Sequence, residues 1–246
     1  MFSRLKNHPF AVEAFFERSL VLTFAVPREQ VLAFLPPCLQ PDCFEDRWAF
    51  IAMAMVQTRG LRPKGFPRFM GQDFFLTGYR VFVTYRNQAG KRLRGLYILR
   101  SETDRRSMQF LGNMFTHYNY TTTDIVQRTA GTQLEIQSVH SDFKLVVDLG
   151  PQEAALPVRS PFERWEQARR FAGPLPFTFS YLAKSRDVLM VEGVRQHWEP
   201  RGVNVIDYHI AYIDRLGLEG AVLANAFMIE QVPYYWKKGK AELWKG

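Results

Sequence analysis

Cysteine is scarce in this chain of 246 residues, which contains only Cys38 and Cys43. Their spacing is neither C-x-x-C nor part of a longer cysteine pattern, so a disulfide-stabilised scaffold and a cysteine zinc site are both excluded. Two unpatterned thiols are typical of a reducing compartment, where disulfides do not persist. The sequence therefore predicts a cytoplasmic protein.

Long apolar runs are also missing. The longest uninterrupted one, 48–56, has nine residues, far short of the about 20 that a membrane helix needs. Glu13 and Glu17 interrupt the aromatic stretch near the N-terminus, which therefore lacks the pattern of a signal peptide. From these absences we expect no membrane partner.

Motifs that bind nucleotides or activate a nucleophile are absent, since the chain has no G-x-S-x-G, P-loop or G-x-G-x-x-G. No two of its five histidines are spaced i, i+2 or i, i+4. His197 and His209 could meet Asp207 and Glu192 across neighbouring strands. Hydrogen-bonded structure is the favoured interpretation, because zinc and iron sites usually show tighter spacing. We expect neither a metal site nor a cofactor.

Positive charge is concentrated in two stretches. The chain carries 32 Lys+Arg against 24 Asp+Glu, a formal net charge of +8, but without 58–72 and 234–246 this falls to +1. A nearly neutral body excludes a uniformly basic nucleic-acid-binding protein. The basic loop 59–70 mixes arginines with aromatics, as single-stranded nucleic-acid sites do. A plain loop or a lid over a pocket is favoured, and nucleic acid is the less favoured partner.

The residues that are abundant favour β-structure. Aromatic residues make up 15% of the chain, with 21 Phe, and aromatic side chains fit pleated surfaces. Because the predicted strands follow one another as hairpins and not as βαβ units, the sheet should be mainly antiparallel. The strands are predicted at 19–26, 48–58, 74–86, 93–102, 124–128, 133–139, 143–148, 187–196, 203–213 and 222–229.

Helices are predicted at 28–35, 104–115 and 161–171. The last follows a capping box that runs from Ser160 to Glu163, and Asp104 is the candidate cap of the middle one. The fold class is therefore α+β, with a few peripheral helices around the sheet. The only candidate linker, 149–159, is short, so residues 1–246 are expected to form one domain.

The densest polar cluster lies where the predicted hairpin ends. Arg100 and Glu102 should share a strand face with Leu96 and Ile98, and Arg105 and Arg106 stand on the first turn of the next helix. Cations are mildly unfavourable at a helix N-terminus, so their placement invites an anionic partner. Two interpretations stay open: a structural network of ion pairs, or a pocket for an anion.

Several pieces of sequence occur in an order that matches a known family. They are Val26-Pro27, Phe34-Leu35-Pro36, Trp48-Ala49-Phe50-Ile51, 74–85 with Arg80, Gly95-Leu96-Tyr97-Ile98, Tyr118-Asn119-Tyr120 and Ala224-Asn225-Ala226-Phe227. In this order the chain resembles the YqjF-like family of uncharacterised bacterial proteins, which is grouped with the acetoacetate decarboxylases. The resemblance implies a mainly antiparallel sheet that curls around a pocket.

Acetoacetate decarboxylases carry a lysine pair at the corresponding strand-to-helix turn, and one lysine forms a Schiff base with the keto acid. In this sequence the pair falls on Arg105 and Arg106, and arginine cannot form the imine. The resemblance therefore implies that the Schiff-base chemistry is lost. The remaining internal lysines are Lys64, Lys91, Lys144 and Lys184.

We therefore predict a protein that binds a small organic acid or carbonyl compound in a β-enclosed pocket. Arginines would anchor the anion, Glu102 could orient an arginine or act as a general base, and tyrosines could donate hydrogen bonds. The predicted binding residues are Arg80, Tyr97, Arg100, Glu102, Arg105, Arg106 and Tyr120. The alternatives are a lyase that uses an unassigned lysine, and a nucleic-acid or partner-binding module that uses loop 59–70. The residues leave open whether a reaction is catalysed and whether the chain forms a homo-oligomer.

Overall fold

The computed structural model describes residues 5–150, 154–173, 175–196 and 198–246. The helices are α1 Arg28–Leu32, α2 Arg106–Phe115, α3 Trp165–Ala172 and α4 Ala211–Arg215, and a 3-10 turn spans Arg68–Met70. The strands are β1 Val12–Pro27, β2 Gln40–Pro41, β3 Trp48–Pro63, β4 Gln72–Arg86, β5 Arg92–Thr103, β6 Tyr120–Thr122, β7 Val126–Ala130, β8 Gln133–Ser138, β9 Phe143–Asp148, β10 Phe177–Leu182, β11 Asp187–Arg195, β12 Arg201–Gly202, β13 Asn204–Ile210, β14 Val222–Trp236 and β15 Lys240–Leu243.

The larger sheet closes on itself. Its strands pair in the order β14, β1, β3, β4, β5, β10 and β11, and β11 then pairs with β14 through Val194 and Tyr235. All these pairings are antiparallel except the short one between β5 and β10. β1, β3 and β4 are long and largely buried because both of their faces are apolar. The result is a closed barrel with apolar side chains packed on both the outer and the inner face of its wall.

The outer face of the barrel carries the main core. A second, antiparallel sheet in the order β13, β9, β8, β7 lies over it. Leu134, Ile136 and Leu145 of this sheet pack in one cluster with Leu20 and Met53 of the barrel wall. Clean period-2 alternation in β8 and β9 produces that single apolar face.

Aromatic side chains fill one end of the barrel interior. Phe50 stacks on Phe162 with ring centroids 5.4 Å apart, and Phe44 lies 5.1 Å from Phe162 and 4.9 Å from Phe171. Phe162 precedes α3 and Phe171 lies on it, so this helix closes that end. The other end is left for polar side chains.

The predicted α+β class and the mainly antiparallel, curled sheet are confirmed. Two predicted helix starts are wrong. α3 begins at Trp165 and not at 161, because Ser160 Oγ accepts the Phe162 N–H and donates to the Ala224 carbonyl, which holds this stretch on β14. α2 begins at Arg106, because Asp104 accepts the Phe75 N–H and so caps no helix.

Other predicted boundaries also move. Strand 203–213 ends at Ile210, where α4 begins, and β10 and β15 were not predicted at all. Within the described ranges, the structure contains no helix with the length and apolar character needed to cross a membrane.

Candidate functional site

One row of interior positions runs across four neighbouring strands of the barrel. Arg80 on β4 pairs with Ala52 on β3, Ala52 pairs with Thr23 on β1, and Thr23 pairs with Asn225 on β14. Gly78 lies next to Arg80 on the same face of β4, because side chains alternate along a strand. The short side chains of Gly78 and Ala52 leave room for the long Arg80 side chain inside the barrel.

Arg80 is a cation without a carboxylate partner among the residues that the structure describes. Burial lowers the pKa of its guanidinium, and the groups that act on it electrostatically are Tyr118, Tyr120 and Tyr234. Its Nε is buried and makes no hydrogen bond, and no Asp or Glu of the described ranges forms an ion pair with it. Arginine nevertheless stays protonated in proteins. The half-buried Arg80 side chain thus brings a positive charge into the barrel that no described carboxylate neutralises.

Three tyrosines surround this charge. Tyr118 lies between α2 and β6, Tyr120 begins β6, and Tyr234 lies near the end of β14, on the far side of the barrel from β4. The Thr178 side chain hydrogen-bonds Tyr118, and Arg195 hydrogen-bonds Tyr234.

Burial raises the pKa of each of these tyrosines, to about 12 for Tyr120. All three hydroxyls are therefore protonated at neutral pH. They can donate hydrogen bonds to an anion that binds to the guanidinium.

The local fold holds Tyr120 firmly. Asn113 on α2 donates through Nδ2 to the Tyr120 carbonyl at 2.9 Å and accepts the Tyr120 N–H through Oδ1 at 2.7 Å. A side chain at position 112 would collide with the Tyr120 ring, so Gly112 permits their close packing. α2 thus acts as a support for one wall of the site.

A cleft of about 600 Å³ opens at the end of the barrel where Tyr234 lies. Tyr234 lines the cleft and also lies beside Arg80, so it stands between the solvent and the buried charge. The other lining residues are Glu13, Ala14, Phe15, Arg59, Gly60, Arg62, Arg68, Val194, Arg195, Gln196, Pro233 and Tyr235.

Two of the cleft arginines are neutralised within the molecule. Arg59 pairs with Glu17 at 2.9 Å and with Asp73 at 3.2 Å, and Arg62 pairs with Glu13 at 2.6 Å. Arg68 is exposed. The cleft is therefore positive, but less so than its arginine count suggests.

The structure brings only two of the seven predicted binding residues together, Arg80 and Tyr120. Arg100, Glu102 and Tyr97 face outwards, into the layer between the two sheets. The prediction that Arg100 and Glu102 share a face with Leu96 and Ile98 is wrong. Arg80 pairs with Ile98 while the preceding Tyr79 pairs with Arg100, so a β-bulge at Leu99 reverses the alternation.

Glu102 belongs to a buried hydrogen-bonded network on the outer face. Its Oε1 accepts from Ser141 Oγ at 2.7 Å and pairs with Arg100 at 2.5 Å. The Arg100 guanidinium lies over the Tyr212 ring, 5.2 Å from the centroid. This geometry matches the ion-pair interpretation of the cluster and keeps Glu102 away from Arg80.

Arg105 and Arg106 lie at the surface, where α2 begins. Arg105 approaches Asp104 at 3.7 Å. Neither residue lines the barrel cleft.

The structure describes all nine lysines of the chain, and each lies on the outside of the barrel. Lys6, Lys64, Lys91, Lys184, Lys238, Lys240 and Lys245 are exposed. Lys144 pairs with Glu135 and Asp207 on the second sheet, and Lys237 pairs with Glu192, both with side chains open to solvent. None of the nine stands beside Arg80.

Histidine and carboxylate side chains are dispersed in the part of the chain that the structure describes. Among the described residues no three His, Cys, Asp or Glu side chains are grouped as a metal site would require. His209 pairs with Asp142 at 3.2 Å, and Glu192 pairs with Lys237 on another part of the molecule. His197 lies outside the described residues.

Sequence reasoning missed Tyr118, Thr178 and Tyr234 as site residues. Tyr234 packs as a core aromatic, stacked on Phe16 with ring centroids 4.7 Å apart. Its second role depends on the closure of β14 on β11, which no local pattern reveals. The Tyr118-Asn119-Tyr120 motif was the available signal, since two tyrosines beside a left-handed Asn119 mark a tight turn.

Solved structures of the same fold support this description. Acetoacetate decarboxylase from Legionella pneumophila subsp. pneumophila str. Philadelphia 1 matches with a TM-score of 0.64 and 10% identity, over 95% of this chain and 88% of that one. An acetoacetate decarboxylase-like enzyme from Sphingomonas wittichii RW1 matches with a TM-score of 0.58 and 8% identity, over 96% and 93%.

The enduracididine biosynthesis enzyme MppR, in complex with pyruvate, matches with a TM-score of 0.53 and 11% identity, over 96% and 90%. A search of the curated proteins finds no match. At these identities the likeness defines the fold and not the activity.

The closed sheet with peripheral helices is thus an acetoacetate decarboxylase-like fold. Within it, the chain belongs to the DUF2071 family, described as an uncharacterized conserved protein (COG2071), whose model matches residues 14–236. The expectation of an uncharacterised family related in fold to the acetoacetate decarboxylases is confirmed.

Proposed function

We propose that the protein binds a small organic acid inside the barrel, with its carboxylate on Arg80. The observation that carries the proposal is the guanidinium of the half-buried Arg80, whose Nε is buried without a partner and which no described carboxylate neutralises. A carboxylate accepts two parallel N–H bonds from arginine in the bidentate form that these pairs favour. The anion would restore both the missing hydrogen bond and the missing charge.

The residues around Arg80 favour a ligand that has an apolar part and, besides its carboxylate, a second polar group. Phe82 and Leu96 belong to the interior apolar cluster, and the protonated hydroxyls of Tyr118 and Tyr120 supply further donors. A short oxo acid or other carbonyl-bearing acid fits this chemistry. MppR is solved in complex with pyruvate, an acid of this class.

The positions of the lysines support binding without Schiff-base chemistry. All nine carry their amines outside the barrel, whereas imine formation needs an amine of lowered pKa next to the bound carbonyl. We propose that the site works without an imine. Borohydride treatment in the presence of pyruvate should leave the protein mass unchanged, and a pyruvate-sized adduct would contradict this.

Ligand binding is tested by calorimetry and thermal unfolding with pyruvate, acetoacetate and butyrate, and with butyramide as the uncharged control. We expect the acids to bind to the wild type, and Arg80→Met to weaken their affinity at least about tenfold, since a charge-assisted hydrogen bond contributes about 1.5–3 kcal/mol. Arg80→Lys should recover only part of the loss, because it keeps the charge without the fork.

The matched control is Arg106→Met, which removes an exposed arginine outside the cleft. It should bind the acids as the wild type does. Equal affinity for butyrate and butyramide, or equal loss in both arginine variants, would contradict the proposal.

A further inference from the structure

The rim of the barrel cleft carries an exposed apolar tip. The hairpin between β3 and β4 ends in the tip 64–70, where Phe66 is 48%, Phe69 86% and Met70 50% exposed. Large apolar side chains that project together from one turn are unusual on a soluble surface and mark an interaction site.

The tip is held out by the fold. Arg62 donates through Nε to the Phe66 carbonyl at 3.0 Å and through Nη1 to the Gly60 carbonyl at 2.9 Å. The two arms of the hairpin touch at its base, since a Cβ on Gly71 would lie 2.7 Å from the Gly60 Cα. The apolar side chains are therefore presented on a braced support and do not fold back over the cleft.

Positive charge surrounds the tip. Lys64 and Arg68 are exposed and form no ion pair within the described ranges. The stretch 58–72 contains no acidic residue. Lys64 also lies over the Tyr235 ring, 4.5 Å from the centroid, which brings the start of the segment 234–246 beside the tip. The end of that segment lies elsewhere, since Glu242 accepts a hydrogen bond from the Tyr85 hydroxyl at the opposite end of β4. The charge at the tip is therefore that of Lys64 and Arg68.

We propose that the tip 64–70 docks the protein on an anionic lipid surface, with Phe66, Phe69 and Met70 inserted between headgroups and Lys64 and Arg68 against the phosphates. Aromatic and apolar side chains flanked by cations are the combination that membrane interfaces bind. Single-stranded nucleic acid is less well served, because Arg59 and Arg62 in the adjoining cleft are neutralised by carboxylates. The docked orientation places the cleft at the membrane surface. This proposal departs from the expectation of no membrane partner, which rests on the lack of a spanning segment, because a peripheral apolar tip needs no such segment.

The test is flotation of the full chain with phosphatidylcholine vesicles that do or do not contain phosphatidylglycerol. We expect binding only to the anionic vesicles, weakened by high salt. Lys64→Gln and Arg68→Gln should each lower the partition coefficient about fivefold, the effect of one cation near a charged surface. The combined Phe66→Ser, Phe69→Ser and Met70→Ser variant should not float.

The matched control combines Val139→Ser and Val158→Ser, two side chains that are 84% and 104% exposed outside the rim. It should float as the wild type does. An environment-sensitive dye on Phe69→Cys should shift to the blue only with anionic vesicles, and the native thiols label slowly because burial raises the pKa of Cys38 and Cys43 to about 11.

Three results would overturn the proposal. The first is a wild type that stays with the soluble fraction in the presence of anionic vesicles. The second is a dimer in solution that the tip variant dissociates, without flotation. The third is binding of a single-stranded oligonucleotide that depends on Arg68, again without flotation. None of these bears on acid binding at Arg80, so the two proposals fail separately.

Discussion

At the level of single side chains, Arg80 shows how a binding site and a stability cost arise from the same group. A guanidinium taken out of water without a counter-ion is costly, since even a paired buried charge seldom repays its desolvation. The surrounding tyrosines offer dipoles but no negative charge. Arg80 is therefore expected to lower the free energy of unfolding of the ligand-free protein.

Replacement of Arg80 by methionine should stabilise the protein in the absence of ligand. We expect a gain of about 1–4 kcal/mol in the free energy of unfolding, the range found when buried ionic groups are replaced by apolar ones of similar volume. Urea denaturation of both proteins measures it. A loss of stability would mean that Arg80 has a structural partner.

Gly78 is the residue on which the position of the guanidinium depends. A Cβ at this position would lie 2.9 Å from Arg80 Nη2 and 3.6 Å from its Cζ. Gly78→Ala should therefore displace the guanidinium while the flexible side chain absorbs the strain. We expect acid affinity to fall at least about tenfold with a change in stability below about 1 kcal/mol.

A double-mutant cycle separates this effect from a general disturbance of the strand. In an Arg80→Met background, Gly78→Ala should change acid affinity no further, because the group it displaces is gone. The glycine control is Gly150→Ala, where a Cβ would meet Asp148 only at ordinary contact distance. Unchanged affinity in Gly78→Ala would show that the guanidinium reaches the ligand from another position.

At the level of elements, the link from β6 to β7 is tied to the β8–β9 turn by one carboxylate. Asp124 Oδ1 accepts from Ser138 Oγ at 2.6 Å and from the His140 N–H at 2.9 Å. These hydrogen bonds, that of Ser138 first, lower the pKa of Asp124 from 3.8 to about 2. The interactions depend on the ionised form.

The stability of the protein should therefore depend on pH through the ionisation of Asp124. A carboxyl whose pKa is lower in the folded state contributes fully above its unfolded value of 3.8, and the contribution is lost as the pH falls towards about 2. Denaturation midpoints of Asp124→Asn and wild type should therefore differ above pH 4 and converge below it. A constant difference across that range would contradict the assignment.

The elements also show which parts of the fold are predictable from sequence. The β4–β5 hairpin and β9 follow from strict alternation, and Phe143–Asp148 is predicted with its observed bounds. The bulge at Leu99 cannot be predicted in this way. The apolar pattern of the strand is compatible both with a regular pairing and with one that contains an extra residue. That one residue moves Arg100 and Glu102 out of the predicted site.

Long-range closure could not be predicted either. Nothing in Phe177–Leu182 itself indicates that it pairs with β5, and Tyr234 becomes a site residue only because β14 meets β11. Arg80 and Tyr120 enter the prediction through the family resemblance, since both lie in pieces of sequence that carry it. That residues 1–246 form one domain stays a prediction.

At the level of the whole molecule, the barrel depends on a close approach between β5 and β10. A Cβ on Gly95 would lie 2.5 Å from the Phe177 carbonyl oxygen and 2.5 Å from the Phe179 ring. Gly95→Ala should therefore open this pairing and destabilise the protein by about 1–3 kcal/mol, as overpacked positions do. Urea denaturation measures it, and a stability equal to that of Gly150→Ala would show that the strands can separate without cost.

The pairing of β1 with β14 has a consequence for the time course of folding. Val12 pairs with Trp236 and Ala25 with Val222, so an early segment of the chain needs a late one as its neighbour. Such distant contacts slow folding, because a long loop must close before they form. On the ribosome, β1 and β3 can pair while β14 is still unmade, which leaves a long unprotected strand edge exposed to other chains. Nascent protein should therefore depend on chaperones until β14 emerges, and stalled fragments that lack it should aggregate.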